Sequence, residues 1–245
     1  KNKMTFLPAP GVAALALPPP VLAETTRRVS YTEDPKTADA QMTSDAYTLP
    51  LNIFDRLVEA ETTGPGESAL VPGLAEKWEI SGDGLTYTFH LRQGVKFHDG
   101  AELTADDVVY TIDRMLNPAT KALGSDIFTF VAGSQDRLDG KADSVSGVKA
   151  LDKYTVQIQL SQPYAAFLAL LASPQASIYN RAFTEAAGDK FGLTPETTNG
   201  TGPFILRDYT LNDSQMLEAN DNYFRGRPKL DRLLVRVVSD SETLR

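Results

Sequence analysis

The sequence contains no cysteine in its 245 residues. That excludes disulfides, thiolate nucleophiles and cysteine-ligated zinc. Histidine is almost as scarce. Only His90 and His98 occur, their spacing fits no metal motif, and no His-Glu-x-x-His is present. There is no Gly-x-Ser-x-Gly elbow, and a Ser-His-Asp triad would have to recruit one of those two imidazoles. Neither a metal nor a cofactor is therefore expected. Positive charge is the third shortage: 24 Lys and Arg stand against 32 Asp and Glu, a formal net charge of −8. Nucleic acid and anionic bilayers both reward clustered cations, so neither is an expected partner. Long apolar runs are also missing. Gly11 to Leu17 is too short to cross a bilayer, and no stable membrane insertion is expected.

What is present suits a globular protein. Apolar residues make up 42% and charged residues 23%, enough at this length to bury a core in one or two domains. At the N-terminus, Lys1 and Lys3 precede the run Gly11 to Leu17 and then Val21-Leu22-Ala23. Basic, apolar, small is the layout of a secretory signal, so residues 1–24 are read as a Pro-rich, signal-like leader.

Periodicity supplies the elements. Val29 and Tyr31 share a face in a strand from Arg27 to Thr32. Glu33 to Thr48 is polar and turn-rich. Pro50 then opens a helix carrying Ile53, Phe54, Leu57 and Val58. Glu61 to Ser68 reads as a flexible turn. Leu85 to Arg92 alternates, with Tyr87, Phe89 and Leu91 on one face. It pairs across Ser81-Gly82-Asp83-Gly84 with a strand holding Trp78 and Ile80, and Trp78 is read as core. Thr104 caps a helix whose apolar face is Val108, Ile112, Met115 and Leu116, ended by Asn117-Pro118. Asp106 and Asp107 resemble a catalytic carboxylate pair, but a helix N-terminus explains them better. Ala119 to Asp143 is irregular. Two further hairpins are expected, Val145 to Ala150 with Tyr154 to Leu160, and Phe204 to Thr210 with Ser214 to Ala219. Between them Pro163 opens a helix with Phe167, Leu168 and Leu171, and Glu185 to Phe191 suits a short helix end. Leu230 to Val238 reads as a buried strand. Strands, hairpins and helices without regular βαβ alternation give a mixed α/β (α+β) class.

Two polar loops stand beside expected core elements, where a rigid scaffold presents binding groups. One holds Thr43, Ser44, Asp45 and Tyr47. The other holds Asn199, Gly200, Thr201 and Gly202, whose glycines make a tight turn with N–H groups able to meet a carbonyl or carboxylate. It is not a phosphate loop, because no Gly-Lys-Ser/Thr follows.

Leu74 to Gly100 followed by Leu103 to Leu116 resembles the signature region of family 5 extracellular solute-binding proteins, the receptors of peptide, nickel and opine ABC importers. Ile53 to Val58, Val148 to Ser173 and the Gly200-Thr201-Gly202-Pro203-Phe204 element resemble other parts of the same family, so that the likeness runs from Val29 to Arg245. The resemblance implies a type II periplasmic-binding-protein lobe with an inserted subdomain: residues 25–50 and 173–245 as the main part, 51–172 as the insert, and the second lobe outside this chain or supplied as a separate C-terminal chain. It further implies capture of a short peptide in the periplasm or at the outer cell surface and delivery to an ABC permease. The Met42 to Tyr47 loop is implied as a ligand-contacting segment, and the signature itself as scaffold. A nickel chelate, opine or sugar is the alternative ligand. An envelope hydrolase is the rival class, lacking a visible nucleophile–base pair, and a non-transport envelope protein on the same scaffold is a third.

Overall fold

The computed structural model describes residues 24–44 and 46–238; the signal-like leader up to Ala23, Asp45 and residues 239–245 lie outside them. The described elements, in order, are β1 (Thr26–Tyr31), α1 (Thr48–Ile53), β2 (Val58–Gly64), β3 (Glu67–Pro72), β4 (Ala75–Ile80), β5 (Thr86–Leu91), α2 (Ala105–Leu116), α3 (Ser134–Leu138), β6 (Val148–Asp152), β7 (Thr155–Gln159), α4 (Phe167–Leu171), α5 (Arg181–Ala187), β8 (Phe204–Thr210), β9 (Ser214–Ala219) and β10 (Arg232–Val237). Short 3-10 turns link several of them.

Two four-stranded sheets carry the fold. One runs β4-β5-β7-β6, all antiparallel neighbours; the other runs β1-β10-β9-β8, with β1 and β10 parallel. β5 shows why the first sheet forms. Its alternation puts Tyr87, Phe89 and Leu91 into the core and leaves Thr86, Thr88 and His90 half-buried on the other face. The apolar stripe of α2, Val108, Ile112, Met115 and Leu116, packs against the same core, and Trp78 joins it beside Phe89. This larger cluster spans Leu57 to Ile178. A smaller one gathers Ala38, Leu49, Ile53 and Phe54 with Tyr179, Phe191 and the inner faces of β8, β9 and β10.

Three expectations need correcting. The helix opened near Pro50 stops at Ile53 instead of reaching Leu57 and Val58, because the Ile53 carbonyl accepts the N–H of Gly202 at 2.8 Å, a partner from across the chain. The expected flexible turn over Glu61 to Ser68 is instead part of an antiparallel hairpin, β2–β3. Its middle residues are largely exposed, so no apolar alternation marked it. β10 buries Leu233 and Val235, not both of its faces.

Candidate functional site

The two candidate loops meet opposite ends of the six-residue helix α1. Thr43 to Tyr47 forms the turn before it. Thr43 Oγ1 accepts the Ala46 N–H at 3.3 Å, and the Thr43 carbonyl accepts the Tyr47 hydroxyl at 3.2 Å. Thr43 and Tyr47 are half-buried, while Ser44 and Met42 are exposed. The turn is held from the larger cluster's side. Gln175 Nε2 donates to the Tyr47 hydroxyl at 2.7 Å, and the Leu123 N–H donates to the Gln41 carbonyl at 2.8 Å. Nothing in the sequence pattern marked Gln175.

Asn199 to Gly202 lies at the other end of α1, and it is buried. Two of its amides are partnered within the chain. The Gly202 N–H donates to the Ile53 carbonyl, and the Gly200 N–H faces His98 Nδ1 at 3.4 Å. Thr201 Oγ1 donates to Asp55 Oδ2 at 2.7 Å, and the Asp99 N–H donates to Asn199 Oδ1 at 3.2 Å. The glycines are required by approach to backbone: a Cβ on Gly200 would lie 2.1 Å from the Ile53 carbonyl oxygen. The loop is a clamp between the two clusters, with Asn199 Nδ2 left as a buried donor lacking a partner among the described residues.

Around this clamp sits buried polar machinery. Asp55 accepts from Thr201 and, at 2.8 Å, from the Tyr223 hydroxyl. Burial raises its pKa, against the lowering effect of those two hydrogen bonds. His98 Nε2 pairs with the Gly202 carbonyl at 3.0 Å, and burial holds this imidazole down to about 4. A second seam runs along α2. Arg114 forms a fork on Asp39 Oδ2 and Gln41 Oε1 at 2.7 and 2.6 Å, and its guanidinium lies over the Tyr179 and Phe191 rings. The Tyr179 hydroxyl donates to Asp39 Oδ1 at 2.8 Å. Asp107 accepts the N–H of Thr104, capping α2, and that of Arg181, joining α2 to α5. The dipole explanation for Asp107 is thus extended: its carboxylate also ties two elements together. An open groove of about 1130 Å³ flanks the outer face of α2. Of the two candidate loops it touches only Met42, and three of its five cations, Arg114, Arg137 and Arg181, pair with Asp39, Asp113 and Glu185 of the same wall. Among the described residues no group of three or more His, Asp or Glu is arranged to hold a metal, and no helix is long and apolar enough to cross a membrane.

Comparison with known proteins places this architecture. The sequence profile of bacterial extracellular solute-binding proteins, family 5 Middle, matches residues 69–245. The chain belongs to this family. As a family 5 protein it has a solute-binding scaffold of mixed α/β fold, not one from an enzyme family. It is 39% identical over 224 residues to the dipeptide-binding protein of Escherichia coli (strain K12), covering 85% of this chain and 39% of that protein. Its structure superimposes with a TM-score of 0.84 and 30% identity on the substrate-binding domain of an oligopeptide ABC transporter from Bacillus anthracis str. Ames, covering 90% of this chain and 43% of that one. Listeria monocytogenes OppA bound to peptide gives 0.83 at 30% identity, over 90% of this chain and 44% of OppA. The chain therefore spans about two fifths of the length of the proteins it matches.

Proposed function

We propose that this chain is the part of a receptor that captures short peptides outside the cytoplasmic membrane and passes them to an ABC permease. The observation that carries the reading is the 39% identity to a dipeptide-binding protein, sustained over 85% of the chain. Thr43, Ser44, Asp45 and Tyr47 are assigned to ligand contact; Ser44 is exposed and the Tyr47 hydroxyl is held by Gln175. A braced turn of this kind meets an extended peptide through main-chain groups and leaves side-chain identity loosely specified. Asn199 to Gly202 is assigned to holding the scaffold. The two hydrophobic clusters are read as a main subdomain and an insert; the insert expected at 51–172 corresponds to the cluster spanning Leu57 to Ile178. Closure of a second lobe over the ligand belongs to the same reading.

Native mass spectrometry of protein purified without refolding tests it. Release of a ladder of di- and tripeptides is the expected result. An opine, nickel chelate or sugar in their place would replace the ligand assignment. Steady turnover of an added peptide library would overturn the receptor reading in favour of a hydrolase.

A further inference from the structure

Asn199-Gly200 is the one Asn-Gly pair in the sequence. In such a pair no Cβ shields the glycine nitrogen, which can reach the asparagine side-chain carbon and close a succinimide ring. The fold surrounds this pair with the groups that ring closure uses. The nucleophile is Gly200 N, and its hydrogen points at His98 Nδ1 at 3.4 Å. That nitrogen can receive it, because the imidazole proton sits on Nε2, against the Gly202 carbonyl at 3.0 Å. The electrophile is Asn199 Cγ. Its oxygen accepts the Asp99 N–H at 3.2 Å, so a donor already stands where negative charge gathers during attack. Asp99 N–H requires an acceptor, which fixes the orientation of the amide. The leaving group, Asn199 Nδ2, is buried and has no hydrogen-bond partner among the described residues, so its departure breaks no bond to the protein. His98 and Asp99 are held in place by the main chain, since the His98 N–H donates to the Gly200 carbonyl at 2.8 Å.

We propose that Asn199-Gly200 is a self-modification site at which the folded protein converts its own asparagine. Gly200 N bonds to Asn199 Cγ, the Cγ–Nδ2 bond breaks, and ammonia leaves. His98 Nδ1 receives the Gly200 proton and releases it to the departing nitrogen. Water then opens the succinimide to aspartate or isoaspartate. No electrons are gained or lost. The site lies in the clamp between the two clusters, not on a surface. Isoaspartate would add an atom to the main chain where Gly200 already lies too close to the Ile53 carbonyl to admit a Cβ. The inference does not depend on which ligand the chain captures. It also opposes the ordinary expectation that a buried, ordered loop reacts more slowly than a flexible chain, because order denies it the conformations that close the ring.

The test uses the protein as expressed from its own gene. One sample is held folded at neutral pH and another is unfolded in urea at the same pH and temperature. Peptide mapping by mass spectrometry follows Asn199, reading the succinimide as loss of ammonia and its products as an acid in place of an amide. Conversion is expected to run about tenfold faster in the folded protein than in the unfolded chain. His98→Gln keeps a polar side chain beside the loop but takes up no proton. Its conversion is expected to fall about tenfold in the folded state and to match the wild type when unfolded. A folded wild type that converts no faster than the unfolded chain would overturn the proposal, because the clamp would then only protect Asn199. A folded His98→Gln that converts at the wild-type rate would overturn it as well. The first comparison needs no substitution, so it decides the matter even where the variant fails to fold.

Discussion

His98 carries a single proton because its ring nitrogens face opposite kinds of partner. Nε2 donates to the Gly202 carbonyl, and Nδ1 accepts from the Gly200 N–H. A second proton would set N–H against N–H. Burial is the main cause that lowers the pKa from 6.5 to about 4; the Gly202 carbonyl and Asp99 oppose it and Arg207 adds to it. The folded value lies below the unfolded one. The contribution to stability is therefore complete above pH 6.5 and is lost as pH falls through about 4. The loss is up to about 3 kcal/mol, reduced by the screening that a half-buried ring admits. Asp55 and Asp107, both raised by burial, act in the opposite sense on acidification. Urea unfolding of wild type and His98→Gln across this pH window isolates the imidazole. The variant is expected to lose less stability on acidification, and equal losses would show that His98 does not titrate in the seam. At Gly202 a Cβ would stand 2.4 Å from the Ile53 carbonyl carbon. Gly202→Ala should therefore cost about 1–3 kcal/mol, seen as a lower urea midpoint at constant slope.

At the scale of elements, α2 is bound to the smaller cluster by charge as well as by packing. Arg114→Leu keeps an apolar stem over Tyr179 but leaves Asp39 buried without its cation. The expected loss is about 3–5 kcal/mol in chemical denaturation, and Arg114→Lys should recover part of it. A loss below that of a typical surface pair would mean that Asp39 is solvated. The elements that sequence reading recovered share one property, a single buried face at a fixed period. β5, β7 and α2 have it. β2 and β3 do not, and the end of α1 depends on a hydrogen bond to Gly202 that no local pattern encodes. The glycines at 200 and 202 read as a tight turn; what the turn lies against, the Ile53 carbonyl, no local pattern encodes. Gln175, Asp39 and Tyr223 were illegible for the same reason. Their partners are distant in sequence, and a lone polar residue reads as solvated until its partner is known.

For the whole molecule, the two hydrophobic clusters meet across largely polar seams. Such seams keep one register and couple the halves. Trp78, the one tryptophan, reports on the larger cluster alone. Its fluorescence and far-UV circular dichroism should change together in wild-type unfolding. In Asp55→Ala, which leaves Thr201 and Tyr223 without their shared acceptor, the two signals should separate. Separation already in the wild type would show that the seams do not couple the clusters.

The Ile178 N–H donates to the Asp55 carbonyl at 3.0 Å. Everything between those residues is therefore a detour that departs from the smaller cluster and returns to the same spot. Seen from that cluster, the larger one is a guest standing on two adjacent feet. Its remaining ties to the host, Arg114 on Asp39, His98 on the Gly202 carbonyl and Gln175 on Tyr47, are what a resized interior would have to keep in place.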